Sequence, residues 1–158
     1  MRHFLGLRIS SLFLFLFATA LPGIAADAGA KTVDAAWVKA MKANDLEAVL
    51  ACYAPDAVAW LPDSPEAKGE KAIRATYQGL LTANTVQDVT VTETNYKSTG
   101  SLSVGWGRFV LALAPKSGGS PIAMKGRFID VAELRDGRWV YIADHASAEP
   151  SPSPSPAK

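Results

Sequence analysis

The segments Ile122–Leu134, IAMKGRFIDVAEL, and Arg138–Ala146, RWVYIADHA, are separated by little more than Asp136-Gly137. Asp-Gly between two β-rich runs signals a tight hairpin, because both central residues of the favoured turn take positive φ. Successive strand residues point to opposite sides, so alternation assigns faces. In the first run Met124, Gly126, Phe128, Asp130, Ala132 and Leu134 share one side, and Lys125, Arg127, Ile129, Val131 and Glu133 share the other. The first of these sides is apolar apart from Asp130. In the second run, strict alternation groups Val140, Ile142 and Asp144 against Trp139, Tyr141, Ala143 and His145. Asp144 and His145 therefore point apart and form no simple acid–base pair while the strand is regular.

Upstream of this hairpin lie two further β-rich runs, Thr85–Tyr96 and Ser101–Ala114, and the segment Lys116–Pro121 reads as a turn. The first half of the chain has helical period. Val33, Trp37, Ala40 and Met41 fall on one face, and Asn44-Asp45 interrupts the pattern. Leu46, Val49, Leu50 and Tyr53 mark a second short helix, capped by Asp45 and ended by Pro55. Ala57–Leu61 is a short strand candidate. A third helix runs from Gly69 to about Ala83, with Ile73, Tyr77, Leu80 and Leu81 on its inner side. Three N-terminal helices followed by an antiparallel meander define the α+β class.

The ends read differently. Residues 1–26 carry Arg2, His3 and Arg8, an apolar run to Leu21, the break Pro22-Gly23, and small residues at Ala25 and Ala26. This is the pattern of a secretory signal peptide cut after Ala25 or Ala26. The run Ser11–Leu21 is short of the roughly 20 residues that a spanning helix needs. The expectation is a periplasmic or secreted domain over residues 31–147, with no membrane span after cleavage. Glu149–Lys158, EPSPSPSPAK, reads as an extended, solvated tail.

The 158 residues suffice for one domain, and 16 basic against 15 acidic residues offer no basic stripe for nucleic acid. One cysteine, Cys52, excludes an internal disulfide framework, and its apolar setting reads as a small buried hydrophobe. Two histidines leave little room for a metal site, so neither metal nor cofactor is expected. No nucleophile elbow, phosphate loop, dinucleotide fingerprint or zinc-protease motif is present. Gly105-Trp106-Gly107 lies in a strand pattern and reads as a bend.

Candidate chemistry rests on Asp130, Asp144 and His145. A lone carboxylate on an apolar face either finds hydrogen bonds, as at a strand bend, or has its pKa raised until it can move a proton near neutrality. Asp144 and His145 bracket the end of the last strand, where His145 alone would ordinarily titrate between pH 5 and 8. Its plainer role is a polar cap. Trp37, Trp60, Tyr77, Trp106 and Phe128 line one cavity if the helices close over the sheet around unfilled space; otherwise they are ordinary core.

The stretch Trp37–Pro62, WVKAMKANDLEAVLACYAPDAVAWLP, resembles the opening of ketosteroid-isomerase-like proteins of the nuclear-transport-factor-2-like superfamily. Gly69, Ala72-Ile73-Arg74 and Tyr77 match its third-helix signature, and Asp136–Trp139 with Asp144–Ser147 resembles the end of its SnoaL-like branch. The same end resembles the association domain of calcium/calmodulin-dependent protein kinase. The resemblance implies a cone-shaped fold, a curved antiparallel sheet under three helices, a small apolar molecule in the cone, and a homodimer. It does not carry over steroid isomerisation. The base position holds Leu61, the helix-one tyrosine position holds Trp37, and only the protonated aspartate has a counterpart, near Asp130. It leaves two readings of the cone open: a cofactor-independent isomerase- or cyclase-like activity using late-strand acids, or a module that holds an apolar molecule without catalysis. The alternative is a non-catalytic association module, dimerising through the sheet face that carries Trp139 and Tyr141.

Overall fold

The computed structural model describes residues 29–149, so the segment expected to be a signal peptide and all but the first residue of the Ser-Pro segment lie outside the described residues. Helix α1 (Gly29–Ala43) and the short α2 (Leu46–Leu50) precede strand β1 (Tyr53–Trp60). A two-residue strand β2 (Ala67–Lys68) and helix α3 (Glu70–Ala83) follow. Four long strands complete the fold: β3 (Asn84–Thr99), β4 (Leu102–Pro115), β5 (Ile122–Arg135) and β6 (Arg138–Ala148). They form one six-stranded sheet in the order β2-β1-β6-β5-β4-β3, with the helices on one face. No helix among the described residues is long and apolar enough to cross a membrane.

Local chemistry accounts for the breaks. Asn44 takes positive φ, and Asp45 then caps α2, its carboxylate accepting from the Ala48 N–H at 3.0 Å. Gly69 opens α3 with φ +79, a conformation that would strain a side chain. Asp136 and Gly137 both take positive φ and close the β5–β6 hairpin as a tight turn.

Two features depart from the pattern. Tyr53–Pro55 starts a strand and does not end a helix. Tyr53 pairs with Tyr141 of β6, and this β1–β6 contact is the sheet's one parallel pairing among the described residues. Pro55 is tolerated near the start of a strand, where a missing N–H is least costly. The second departure is a bulge. Ala132 pairs with Tyr141 and Val131 with Ala143, which leaves Ile142 without a partner. The extra residue resets the alternation. Tyr141 and Asp144 consequently share the helix-covered face, and Asp144 does not side with Val140 and Ile142 as strict alternation predicts.

The core packs Met41, Val49, Ile73 and Tyr77 against Val89, Leu111, Leu113 and Tyr141. Cys52 is buried there, its thiol donating to the Ala48 carbonyl, and burial pushes its pKa up to about 11. At that pKa the thiol is inert near neutrality. Gly105 and Gly107 lie within β4, and the β3–β4 register breaks beside Gly107, between Thr92 and Asn95, where Glu93 takes positive φ. A Cβ at Gly107 would lie 2.8 Å from the Thr92 carbonyl and 3.0 Å from the Phe128 ring, and one at Gly105 would lie 2.8 Å from Asp130 Oδ1. These two positions are bare because the sheet face needs room for the side chains of β5.

Candidate functional site

The core does not fill the space between helices and sheet. A cavity of about 500 Å³ remains, inside the range of small-molecule sites. Its wall is largely apolar, with Val38, Met41, Val91, Leu111, Met124 and Phe128 contributing. Leu61, Pro62 and Ala75 also line it, from the β1–β2 connection and α3. Of the five aromatic residues expected at the cavity, Trp37, Tyr77 and Phe128 line it. Trp60 and Trp106 do not. They are 39 % and 36 % exposed on the opposite face of the sheet. Their registers explain this, because Trp60 stands beside His145 and Trp106 opposite Ile129, all in one outward row.

Three carboxyl groups line the cavity: Asp34 from α1, Asp130 from β5 and Asp144 from β6. Asp130 and Asp144 are directly opposite each other across the β5–β6 pairing. His145 faces away, exposed, with its ring 6.4 Å from that of Trp60. The structure thus brings Asp130 and Asp144 together and separates His145 from both.

Asp34 was not anticipated from sequence. It sits at i, i+3, i+4, i+7 with Trp37, Val38 and Met41, so a charged residue within the cavity-facing helical stripe was the available signal. It is 5 % exposed and accepts the hydroxyl protons of Tyr141 at 2.6 Å and Tyr96 at 2.9 Å. It also shares a hydrogen bond with the Asp130 carboxyl. Burial raises the Asp34 pKa, against these hydrogen bonds, which lower it.

Asp130 is 2 % exposed, and no donor reaches its Oδ1. Desolvation, then the charges of Asp34 and Asp144, push its pKa up to about 9. Asp130 is therefore a neutral acid at pH 7, and its proton is the one the pair shares. Two adjacent carboxyls in an apolar enclosure oppose each other's ionisation, so their protons come off in separate steps that belong to the pair.

Asp144 ends a separate chain of donors. The Tyr53 hydroxyl donates to Asp144 Oδ2 at 2.6 Å, the Tyr53 and Tyr77 hydroxyls lie 2.6 Å apart, and Trp37 Nε1 donates to Tyr77 at 3.0 Å. Because Tyr53 spends its proton on Asp144, Tyr77 donates to Tyr53. Burial raises the Asp144 pKa to about 6 while the Tyr53 hydrogen bond opposes the rise. At neutral pH Asp144 is mostly a carboxylate within one pH unit of its proton, and Asp130 holds its own. Opposed groups with separated proton affinities are the equipment of general acid–base chemistry.

An α+β cone with an apolar cavity and buried acids defines a class of small-molecule binding domains. The SnoaL-like domain model matches residues 35–142, and the chain belongs to that family. Among solved structures, a Xanthomonas campestris protein named for a calcium/calmodulin-dependent protein kinase II association domain superposes with a TM-score of 0.68. It is 26% identical, and the match covers 88% of this chain and 99% of that one. A ketosteroid isomerase-like protein from Erwinia carotovora atroseptica gives a TM-score of 0.67 at 16% identity, covering 77% and 94%. A Streptomyces avermitilis protein named for a dehydratase of the NTF2-like family gives 0.63 at 15%, also covering 77% and 94%. No curated protein matches the chain.

Proposed function

We propose that this SnoaL-like domain binds a small apolar molecule in its cavity and exchanges a proton with it through Asp144. The observation that carries the reading is the pairing of Asp144 with the neutral acid Asp130 across β5–β6, both facing one apolar cavity. The acid–base chemistry is of a kind that side chains alone supply. Tyr53, Tyr77 and Trp37 hold the Asp144 carboxylate in place, and Asp34 holds the Asp130 proton. His145, outside the cavity, has no part in it.

Ala75 is exposed yet lines the cavity, so a bulky side chain there blocks entry without entering the core. Ala75→Trp is expected to weaken binding of apolar probes by about 10-fold or more, since occlusion removes most of the buried contact. Tryptophan fluorescence titration measures it, and unchanged affinity would place binding elsewhere. The leader pattern of residues 1–26 supports a periplasmic or secreted location. Mass spectrometry of the protein from its native host should find an N-terminus at Ala26 or Asp27; an intact Met1 contradicts export by cleavage.

A second reading is association through the outer sheet face, in addition to ligand binding. Trp60, His145, Ile129 and Trp106 form a continuous outward row across β1, β6, β5 and β4, and Ile129 is 49 % exposed. Arg108 and Arg127 flank the row together with Glu93 and Glu149, so charges of both signs rim an apolar centre. A self-complementary patch of this kind suits a second copy of the chain. The sheet face with Trp139 and Tyr141, expected from sequence to dimerise, is the helix-covered one. Tyr141 is 4 % exposed there and bonded to Asp34. The Xanthomonas neighbour's association-domain name fits this reading. Ile129→Asp is expected to weaken self-association by about 2 kcal/mol, the scale of a central interface residue. Sedimentation at micromolar concentration decides it, and a monomeric parent protein removes the reading.

A further inference from the structure

The charges around the cavity are unevenly placed. Its lining residues include three aspartates and no lysine, arginine or histidine, although acids and bases are nearly equal in number over the whole chain. The arginines that form ion pairs, Arg74, Arg108 and Arg135, are on the surface with exposed or half-buried carboxylates. Asp34 accepts from the two tyrosine hydroxyls and Asp130, so its charge is well solvated by O–H donors. Asp144 accepts from Tyr53 alone at Oδ2, and no protein donor is recorded at its Oδ1. Asp144 thus accepts one tyrosine hydroxyl where Asp34 accepts two.

This distribution bears on what the proton partner is. A neutral carbonyl compound that lost a proton to Asp144 would become an anion in a cavity whose lining holds two further aspartates and no cation. The Asp130 carboxyl is already hydrogen-bonded to Asp34. No cation faces the developing charge, so that route is opposed electrostatically. A ligand that arrives positively charged reverses the sign of every one of these terms. The aromatic side chains of Trp37 and Phe128 are in the same lining, a residue type that accommodates such a cation.

We infer that the group with which Asp144 exchanges its proton is a basic nitrogen, so the ligand is an apolar amine or imine that binds as a cation. The inference rests on the reading of this cavity as the functional site and names the polar group of its ligand. When the nitrogen gives its proton to Asp144, the ligand becomes neutral and the carboxylate becomes the acid; no other reactant is needed. A carboxylic acid of the same shape is excluded by repulsion.

The test is calorimetric titration with three probes of one shape: 2-naphthylmethylamine, 2-naphthylmethanol and 2-naphthoate. At pH 7.5 the amine is expected to bind about 10-fold or more tightly than the alcohol, as a desolvated charge pair allows, with no detectable binding of the carboxylate. In Asp144→Asn the amine-to-alcohol ratio should fall toward one, with circular dichroism confirming the fold. A readout on the unaltered protein runs beside it. Amine affinity should drop as pH falls below about 6, where Asp144 is protonated, while alcohol affinity changes little. The groups facing Asp144 are Tyr53 from β1, Tyr77 from α3, Asp34 from α1, Asp130 from β5 and, on its own strand, Tyr141; the neighbouring His145 is on the opposite, exposed face of the sheet. If the alcohol or the carboxylate binds as well as the amine, the nitrogen assignment is wrong while the cavity reading stands. If none of the three binds at millimolar concentration, both are wrong.

Discussion

Asp144→Asn is expected to lower turnover of a bound ligand roughly 10²- to 10⁴-fold at saturation, the range that one positioned general base contributes. Asparagine is nearly isosteric with aspartate and keeps a carbonyl oxygen to accept the Tyr53 hydroxyl, which in the parent lies 2.6 Å from Asp144 Oδ2. The tyrosine chain through Tyr77 to Trp37 should therefore survive, and the loss should fall on the proton-transfer step. Activity of the parent should rise with pH around 6 as Asp144 ionises, and the variant should lack that limb. Steady-state kinetics across pH 5–8 checks both. A variant with full turnover, or a parent with no limb near pH 6, would falsify the assignment of Asp144 as the base.

The second large effect concerns stability. Asp130 has its pKa raised from 3.8 to about 9 and Asp144 from 3.8 to about 6. Between 3.8 and those values the folded protein keeps protons that the unfolded chain has released. Stability from these groups is thus fully present below pH 3.8 and is lost as pH rises through the folded pKa. Each group contributes a loss of about 1.4 kcal/mol per pH unit within its window, so the decline is steepest from pH 4 to 6 and continues to about pH 9. Asp34, also raised, acts in the same direction. Glu47, Asp56 and Asp88 are exposed carboxylates lowered by their hydrogen bonds to Arg74, Arg135 and Lys42, and they act oppositely in acid. Maximum stability is therefore expected near pH 4–5. Asp130→Asn keeps an N–H donor toward Asp34 and has nothing to ionise. It should flatten the slope between pH 6 and 9 and leave the variant more stable than the parent at pH 9. Urea denaturation at pH 5, 7 and 9 measures this, and a parent that grows more stable toward pH 9 contradicts it.

Much of the fold could be read from the chain because its signals are local. Asp45 caps α2, Gly69 precedes α3, and Asp136-Gly137 closes the last hairpin, each through chemistry contained within a few residues. Asp130 was legible for the same reason, since β5 is regular and its inner face is apolar. What escaped is non-local. Tyr53–Pro55 looks like a helix end until β6 offers a partner for it, and that parallel pairing joins residues some 90 positions apart. The Ile142 bulge leaves no mark in the sequence, yet it turns Asp144 toward Asp130. Trp60 and Trp106 could not be separated from Trp37 by residue type; only register sends them outward. Asp34 was hidden because an acid on an amphipathic helix ordinarily faces water.

The central claim is that two opposed carboxyls in one apolar cavity hold their protons with different strength. A carboxyl-carbon NMR titration of Asp130 and Asp144, assigned with the two asparagine variants, tests it directly. The expected result is a midpoint near 6 for Asp144 and near 9 for Asp130. Midpoints near 4 for both would contradict it.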